Sequence, residues 1–142
     1  MRISDVLRSK GSTVATVDPG LTVSGLVAEL AKHNVGAMVV VANGQVVGIV
    51  SERDVVRQIH ARGANLLNAK VSEIMTSSVF TCLPTDSVNS LEQTMTERRI
   101  RHMPVVVDGE LAGIVSIGDV VKSRIGELES DREQLESYIA RG

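Results

Sequence analysis

Several residue types and segments are scarce in this 142-residue chain, and each scarcity excludes a class of protein. The single cysteine, Cys82, rules out an internal disulfide and is interpreted as a small buried apolar residue in a reducing cytoplasm. The aromatic residues are Phe80 and Tyr138, too few for the stacking platforms that bind single-stranded nucleic acid. A net charge of −2 gives no general attraction to nucleic acid or to anionic lipid.

Long apolar segments and catalytic motifs are also missing. No apolar run approaches the roughly 18 residues of a membrane span, and Met1–Asp5 lacks the apolar segment of a secretory signal. There is no GxxxxGK[ST] loop, no Cys–His nucleophile pair and no paired-carboxylate arrangement. The three histidines, His33, His60 and His102, have no partners at metal-ligand spacing. The sequence therefore predicts a cytoplasmic binding protein that is not an enzyme.

The chain does contain an internal repeat. Residues 14–57 align with residues 79–122 at a constant offset of 65 without a gap, and 16 of the 44 aligned positions are identical. The densest match is GIVSERDVV at Gly48–Val56 against GIVSIGDVV at Gly113–Val121. A repeat of this length predicts two copies of one supersecondary unit. Packed about a pseudo-two-fold axis, they would form two related clefts, where we expect function to lie.

Each copy reads as strand, helix, strand, strand, helix. Apolar residues from Val23 recur at helical spacing, and Asn43-Gly44 and Asp108-Gly109 are typical of type I′ hairpin turns. Strands are expected at Val14–Val17, Ala37–Ala42 and Val46–Val50 in the first copy, and at Val79–Leu83, Met103–Val107 and Leu111–Val115 in the second. The predicted fold is α/β (α+β), with small apolar sheets covered on both faces.

Four segments are predicted from these patterns. They are a first repeat at 1–62, an exposed linker at 63–70, a second repeat at 71–126 and a helical extension at 127–142. Ile3–Leu7 resembles Val71–Met75 at an offset of 68, so each repeat has a short leading helix. The last helix of the second repeat is expected to run from Ser116 to about Ile125.

A Ser-x-x-Asp motif, Ser51–Asp54 and Ser116–Asp119, follows an apolar strand in each repeat. One interpretation is a helix capping box, with serine at the N-cap and an acid at N3. The other is a ligand site, because a helix N-terminus attracts anions and a carboxylate can accept two hydrogen bonds from a ribose diol. Together these groups match the needs of a nucleotide.

The tandem GIVSERDVV and GIVSIGDVV, with His102-Met103-Pro104-Val105-Val106 and the order of elements, resembles a pair of CBS domains forming a Bateman module. The resemblance covers residues 1–126 and extends to small stand-alone bacterial CBS-pair proteins. It implies binding of an adenosyl ligand such as AMP, ADP, ATP, NAD(H) or S-adenosylmethionine. It also implies a homodimer built from the CBS helices.

The resemblance also implies roles for individual residues. Asp54 and Asp119 would hold ribose, and Ser51 and Ser116 would hold phosphate together with the helix amides. Adenine would contact backbone near Thr16 or Thr81, and near Ala37-Met38 or His102-Met103-Pro104.

The two clefts are not equivalent in sequence. Arg99 and Arg101 belong to a basic cluster before the second hairpin, interpreted either as a solvated helix end or as a phosphate site. Arg53 in the first motif has the same two interpretations, whereas Ile117-Gly118 removes bulk and charge from the second motif. His102 is expected either to touch ligand or to be a partly buried histidine. We therefore expect the second cleft to be the better adenosine site.

The leading hypothesis is a regulatory module that senses adenine nucleotide and signals to an unidentified effector protein. Neither a membrane nor nucleic acid is expected as a partner. A dimerisation scaffold without a physiological nucleotide is the main alternative. A nucleotide-hydrolysing or NAD(H)-using enzyme and a nucleic-acid-binding protein are the others.

Overall fold

The structure, a computed structural model, describes residues 1–141 and has the mixed α/β (α+β) architecture that the repeat predicts. The helices are α1 (Ile3–Lys10), α2 (Val23–His33), α3 (Glu52–Arg62), α4 (Val71–Ile74), α5 (Val88–Arg98) and α6 (Ile117–Arg141), with a 3-10 helix at Gly63–Asn68. The strands are β1 (Thr16–Val17), β2 (Ala37–Ala42), β3 (Gln45–Ser51), β4 (His102–Val107) and β5 (Glu110–Ser116).

One antiparallel hairpin forms the centre of each repeat. β2 pairs with β3 and β4 with β5, and both pairings shift register at the equivalent place, after Val40 and after Val105. The residues of both turns have positive φ angles, between 51° and 81°. This is the type I′ geometry for which asparagine, aspartate and glycine are suited.

The first strand differs between the repeats. β1 pairs in parallel with β2, but Val79–Leu83, which the sequence predicts as a strand, makes only an isolated bridge between Cys82 and Val105. The strand prediction is wrong here because Pro104 stands where the first repeat has Val39. Proline has no N–H to donate to a neighbouring strand. The pairing between these segments is therefore reduced to two backbone hydrogen bonds. Cys82 N–H donates to the carbonyl of Pro104, and Val106 N–H donates to the carbonyl of Cys82.

The leading helices are exchanged between the repeats. α1 packs in the core of the second repeat, where Ile3 and Leu7 lie with Val115. α4 packs in the core of the first repeat, where Val71 and Ile74 lie with Leu26. The exchange requires glycine at equivalent sites of the sheets. A Cβ on Gly113 would lie 2.7 Å from Leu7 Cδ2, and one on Gly48 would lie 2.6 Å from Met75 Sδ.

The segment between the repeats is partly buried. Residues 63–70 are predicted as an exposed linker, but Leu66 is fully buried in the first core. The next residues are fixed by backbone hydrogen bonds of 2.8 Å, from Val23 to Ala69 and from Val71 to Leu21. The exposed-linker prediction is therefore wrong at Leu66, because this side chain fills apolar space beneath the first repeat.

The last helix is continuous. The sequence predicts a break near Gly126, whereas α6 runs unbroken from Ile117 to Arg141. The expected separate extension at 127–142 is thus the second half of α6 within the described residues, and Gly142 lies outside them. A lone glycine costs an exposed helix only about 1 kcal/mol, too little to end it. Among residues 1–141, every helix is too short or too polar to cross a membrane.

Candidate functional site

The two Ser-x-x-Asp motifs form capping boxes at equivalent strand-to-helix junctions. Asp54 Oδ2 accepts hydrogen bonds from the backbone N–H of Ser51 at 2.8 Å and from its hydroxyl at 3.0 Å. Asp119 Oδ2 likewise accepts one from the backbone N–H of Ser116 at 2.9 Å. Each serine Oγ accepts the N–H of its aspartate, at 3.3 Å and 3.1 Å. The capping interpretation is confirmed, and the boxes use only Oδ2 of each carboxylate.

A cavity of about 260 Å³ opens beside the first motif. Its volume is slightly below the ~300–1,000 Å³ of typical small-molecule sites, so a nucleotide would extend from it into solvent. Both repeats contribute to its wall. The lining residues are Gly36, Ala37, Ile49, Val50, Ser51, Glu52, Arg53, Asp54, Arg57, Thr76, Ser78, Val79, Phe80, Arg99, Ile100, Arg101 and His102.

The cavity is electropositive although the chain is acidic. Four arginines line it, Arg53 and Arg57 from α3 and Arg99 and Arg101 from the second repeat, against two carboxylates. The positive end of the α3 dipole is at the same place. Guanidinium groups form paired hydrogen bonds with phosphate oxygens. This wall therefore favours an anion carrying several oxygens.

The basic cluster lies at the first motif. The sequence places Arg99, Arg101 and His102 with the second Ser-x-x-Asp motif because they lie just before β4 or at its first residue. In the fold, the backbone of Arg101 does adjoin α6, accepting the N–H of Ile117 at 2.8 Å. Arg99 and Arg101 nevertheless line the cavity that contains Ser51 and Asp54. The cluster, one of the two grounds for expecting the second cleft to be the better site, therefore belongs to the wall of the first cleft.

His102 lies between the two motifs. It lines the cavity, and its position in β4 is directly opposite Ser116 in β5. Burial lowers the pKa of His102 below its ordinary value of 6.5, and the charges of Lys10 and Arg101 lower it further, with Asp119 opposing them. The imidazole is therefore neutral near pH 7 and adds no charge to the cavity.

The second motif is occupied by a lysine from the other end of the chain. Lys10 Nζ lies 2.6 Å from Asp119 Oδ2 and donates to the carbonyl of Ile114 at 3.0 Å. Burial alone would raise the pKa of Asp119, but the bonds from Lys10 and Ser116 outweigh it and hold the pKa below 3.8. Within residues 1–141 Asp54 has no such cation, and the hydrogen bonds that its carboxylate accepts come from Ser51.

Both repeats match the same known protein family. The sequence profile of the CBS domain matches residues 3–61 and residues 71–126. The chain belongs to the CBS domain family. Nothing in residues 1–141 brings together three or more His, Cys, Asp or Glu side chains that could hold a metal ion.

Other CBS proteins match over nearly the whole chain. The CBS domain-containing protein CBSX3, mitochondrial, of Arabidopsis thaliana is 40% identical over 99% of this chain and 72% of its own length. The CBS domain-containing protein YhcV of Bacillus subtilis is 32% identical over 87% of each chain. The crystal structure of the CBS-domain containing protein ATU1752 from Agrobacterium tumefaciens superposes with a TM-score of 0.85 at 42% identity, covering 87% of this chain and 99% of that one.

The CBS repeats bring together only part of the predicted site. Seven predicted residues line the cavity: Ala37, Ser51, Arg53, Asp54, Arg99, Arg101 and His102. The others do not. Thr16 and Thr81 are exposed, and Met38, Met103 and Pro104 are buried in the sheets. Ser116, Ile117, Gly118 and Asp119 form the second helix opening, beside Lys10.

Sequence reasoning missed the part of the wall that follows α4. Thr76, Ser78 and Phe80 line the cavity, and the Phe80 ring has the guanidinium of Arg98 5.0 Å from its centroid. The offset of 68 between the leading helices is the available signal for Thr76 and Ser78, since both helices are followed by a segment that leads into the first strand of a repeat. The offset does not show which cavity these residues line, because that depends on the exchange of α1 and α4, which the sequence pattern does not reveal.

Proposed function

We propose that this CBS pair is a regulatory module that binds an adenine nucleotide in the cavity between the repeats. AMP, ADP, ATP and NAD(H) are the candidate ligands. The observation that carries the proposal is the combination, in one cavity, of a helix N-terminus, a carboxylate with an available oxygen and four arginines. A scaffold has no need for this combination, and the same groups fit the parts of a nucleotide.

The polar residues of the cavity wall would bind the ribose and the phosphates. Oδ1 of Asp54 is free of the capping box and would accept a ribose hydroxyl. The first N–H groups of α3 would donate to the nearest phosphate, and so would the Ser51 hydroxyl once it turned away from Asp54 Oδ2. Arg99 and Arg101 face this opening from the second repeat and would bind further phosphates.

The adenine would occupy the less polar part of the cavity. Val79, Phe80 and Ile100 supply apolar side chains to the cavity wall, to which Gly36 and Ala37 also belong. Aliphatic side chains and one face of an aromatic ring suit a flat base. Backbone groups at Ala37 would then distinguish the adenine edge, as the family resemblance implies.

Distant CBS structures are consistent with an adenosyl ligand. The CBS domain pair of protein MJ0100 was solved in complex with 5-methylthioadenosine and S-adenosyl-L-methionine, at 23% identity to this chain and a TM-score of 0.75. At that identity the comparison establishes the fold alone. The proposal of an adenosyl ligand for this chain therefore rests on its own cavity, and the choice among adenosyl compounds rests on the arginines there.

Signalling would proceed through a homodimer and an effector protein. Val56 on α3 and Val121 on α6 occupy equivalent positions, and both are at least half exposed. Burial of such side chains against a second copy is favourable. Ligand bound between the repeats can shift their relative orientation only as far as its affinities for the two arrangements differ. Location in the cytoplasm and the absence of catalysis stay predictions.

Isothermal titration calorimetry with AMP, ADP, ATP, NADH and S-adenosylmethionine tests the binding proposal. We expect the Asp54→Asn variant to bind about 10- to 100-fold more weakly, the effect of losing about 1.5–3 kcal/mol from a charged hydrogen bond. Asparagine retains an oxygen for the capping box, so melting should change little. Asp108→Asn is the matched control, because Asp108 lies in an exposed turn and its equivalent, Asn43, is already asparagine.

The scaffold alternative predicts a different result. If none of these nucleotides binds, or if Asp54→Asn binds as tightly as the wild type, the nucleotide proposal is wrong. Mass spectrometry of small molecules released from the purified protein would identify a ligand that is retained through purification. A Val56→Glu variant that sediments as a monomer while the wild type sediments as a dimer would support the homodimer.

A further inference from the structure

The ion pair between Lys10 and Asp119 joins the two ends of the domain. Lys10 is the last residue of α1, and its ammonium also donates to Ile114 O at 3.0 Å. The side chains of Lys10 and Asp119 are only 33% and 21% exposed. The ammonium therefore has two protein partners, one of them charged, in a place partly shielded from water.

The pseudo-symmetry of the chain gives this lysine its significance. Continued three residues past Leu7, the offset of 68 that relates α1 to α4 pairs Lys10 with Ser78, and all three residues between Met75 and Val79 (Thr76, Ser77 and Ser78) carry a hydroxyl. The same offset relates Leu7 to Met75, which dock on equivalent glycines of the two sheets. Although α4 ends at Ile74, Ser78 still reaches the cavity beside Asp54. A short hydroxyl side chain thus stands on one side of the molecule where a lysine stands on the other.

We propose that Lys10 locks the second Ser-x-x-Asp opening, so that the chain binds one nucleotide, at the first. The ammonium pairs with Oδ2 of Asp119, the oxygen that also belongs to the capping box, and neutralises the charge of the carboxylate. A ribose hydroxyl at the second opening would therefore find a weaker acceptor with an ammonium beside it. Asp54 carries no such cation, and its carboxylate remains available.

The lock rests on the proposed function, and ADP is the probe that tests both. Calorimetry is performed on the wild type and on Lys10→Ser, which copies the residue at position 78. We expect one ADP per chain for the wild type and two for Lys10→Ser. In the double variant Lys10→Ser/Asp119→Asn the count should return to one. Lys10→Arg keeps the positive charge and should keep the count at one.

The outcomes separate the lock from the function. If the wild type binds one ADP and Lys10→Ser still binds one, or binds it more weakly, the lock is wrong and the proposed function stands. If the wild type binds none but Lys10→Ser binds one that Asp119→Asn removes, the lock is right and the proposed first site is wrong. If neither binds ADP, both are wrong. Thermal melting of each variant shows whether the fold is retained.

Discussion

Asn34 and Arg99 end equivalent helices in the same left-handed backbone conformation, with φ angles of 53° and 55°. Asparagine adopts this conformation readily, whereas arginine does so rarely. The second repeat thus places a guanidinium at a strained helix end, and this residue lines the cavity of the first motif. The phosphate contact proposed for Arg99 would explain why this strain is retained.

Replacing Arg99 with asparagine tests this relationship. The Arg99→Asn variant installs the residue of the first repeat, so the helix end should be preserved or slightly stabilised. We expect the affinity for ADP to fall about tenfold, which corresponds to about 1.4 kcal/mol from one charge-assisted contact. Binding of adenosine should change little. Arg132→Gln, on the exposed part of α6, is the control for a lost charge, and an equal effect of both variants on ADP would contradict the role of Arg99.

The buried position of His102 predicts a pH-dependent stability. Its pKa is lowered in the folded protein, so below about pH 6.5 the unfolded chain binds a proton that the folded chain does not. The free energy of unfolding should therefore fall as the pH drops through this range, and level off below the folded pKa. The groups that set the shift besides burial are Lys10, Asp119, Arg101 and Glu52. Urea titrations at several pH values measure the slope.

The variant His102→Gln removes the titrating group. We expect its stability to depend less on pH between about 6.5 and 5 than that of the wild type. Identical slopes for the two proteins would mean that other groups cause the pH dependence. His33→Gln is a suitable control, because His33 lies on the exposed end of α2 and is paired only with Glu29.

Leu66 is expected to be the most sensitive residue between the repeats. It is fully buried in the first core, and truncation of such a leucine to alanine costs about 2–5 kcal/mol. Leu67, its neighbour, is 42% exposed, and Leu67→Ala should cost much less. Chemical denaturation of the two variants distinguishes a structural segment from a simple linker. Equal and small losses would contradict the packing of Leu66.

Cys82 is expected to be chemically inert while the protein is folded. Burial, with a smaller contribution from Asp86, raises the pKa of the Cys82 thiol to about 12, so almost no thiolate is present at pH 8. A thiol reagent such as dithionitrobenzoate should react only slowly in buffer and rapidly in denaturant. Fast modification of the native protein would show that this part of the second sheet opens readily.

The repetition in the sequence was sufficient to predict the hairpins and helix openings. Asn43-Gly44 and Asp108-Gly109 specify their turns locally, and the serines at 51 and 116 specify their helix starts, so each needed only a few neighbouring residues. The missing strand at Val79–Leu83 depended on a residue more than 20 positions away, Pro104, that lacks one hydrogen-bond donor. Local pattern alone does not contain that information.

The composition of the site was less predictable for the same reason. Arg99 was assigned to the motif of its own repeat, because chain proximity was the only guide. The fold instead brings it to Ser51, and brings Lys10 to a motif more than a hundred residues away. Both placements follow from how the two units pack on each other. The sequence repeat identifies the two units but does not indicate how they pack on each other.

The exchange of α1 and α4 makes the folding of each repeat depend on the other. Neither half contains its own opening helix, so a detached half would lack part of its interior. It would regain that part only from a second molecule. We therefore expect the tandem to unfold in one cooperative step, and deletion of the first ten residues to damage the half of the protein farthest along the chain.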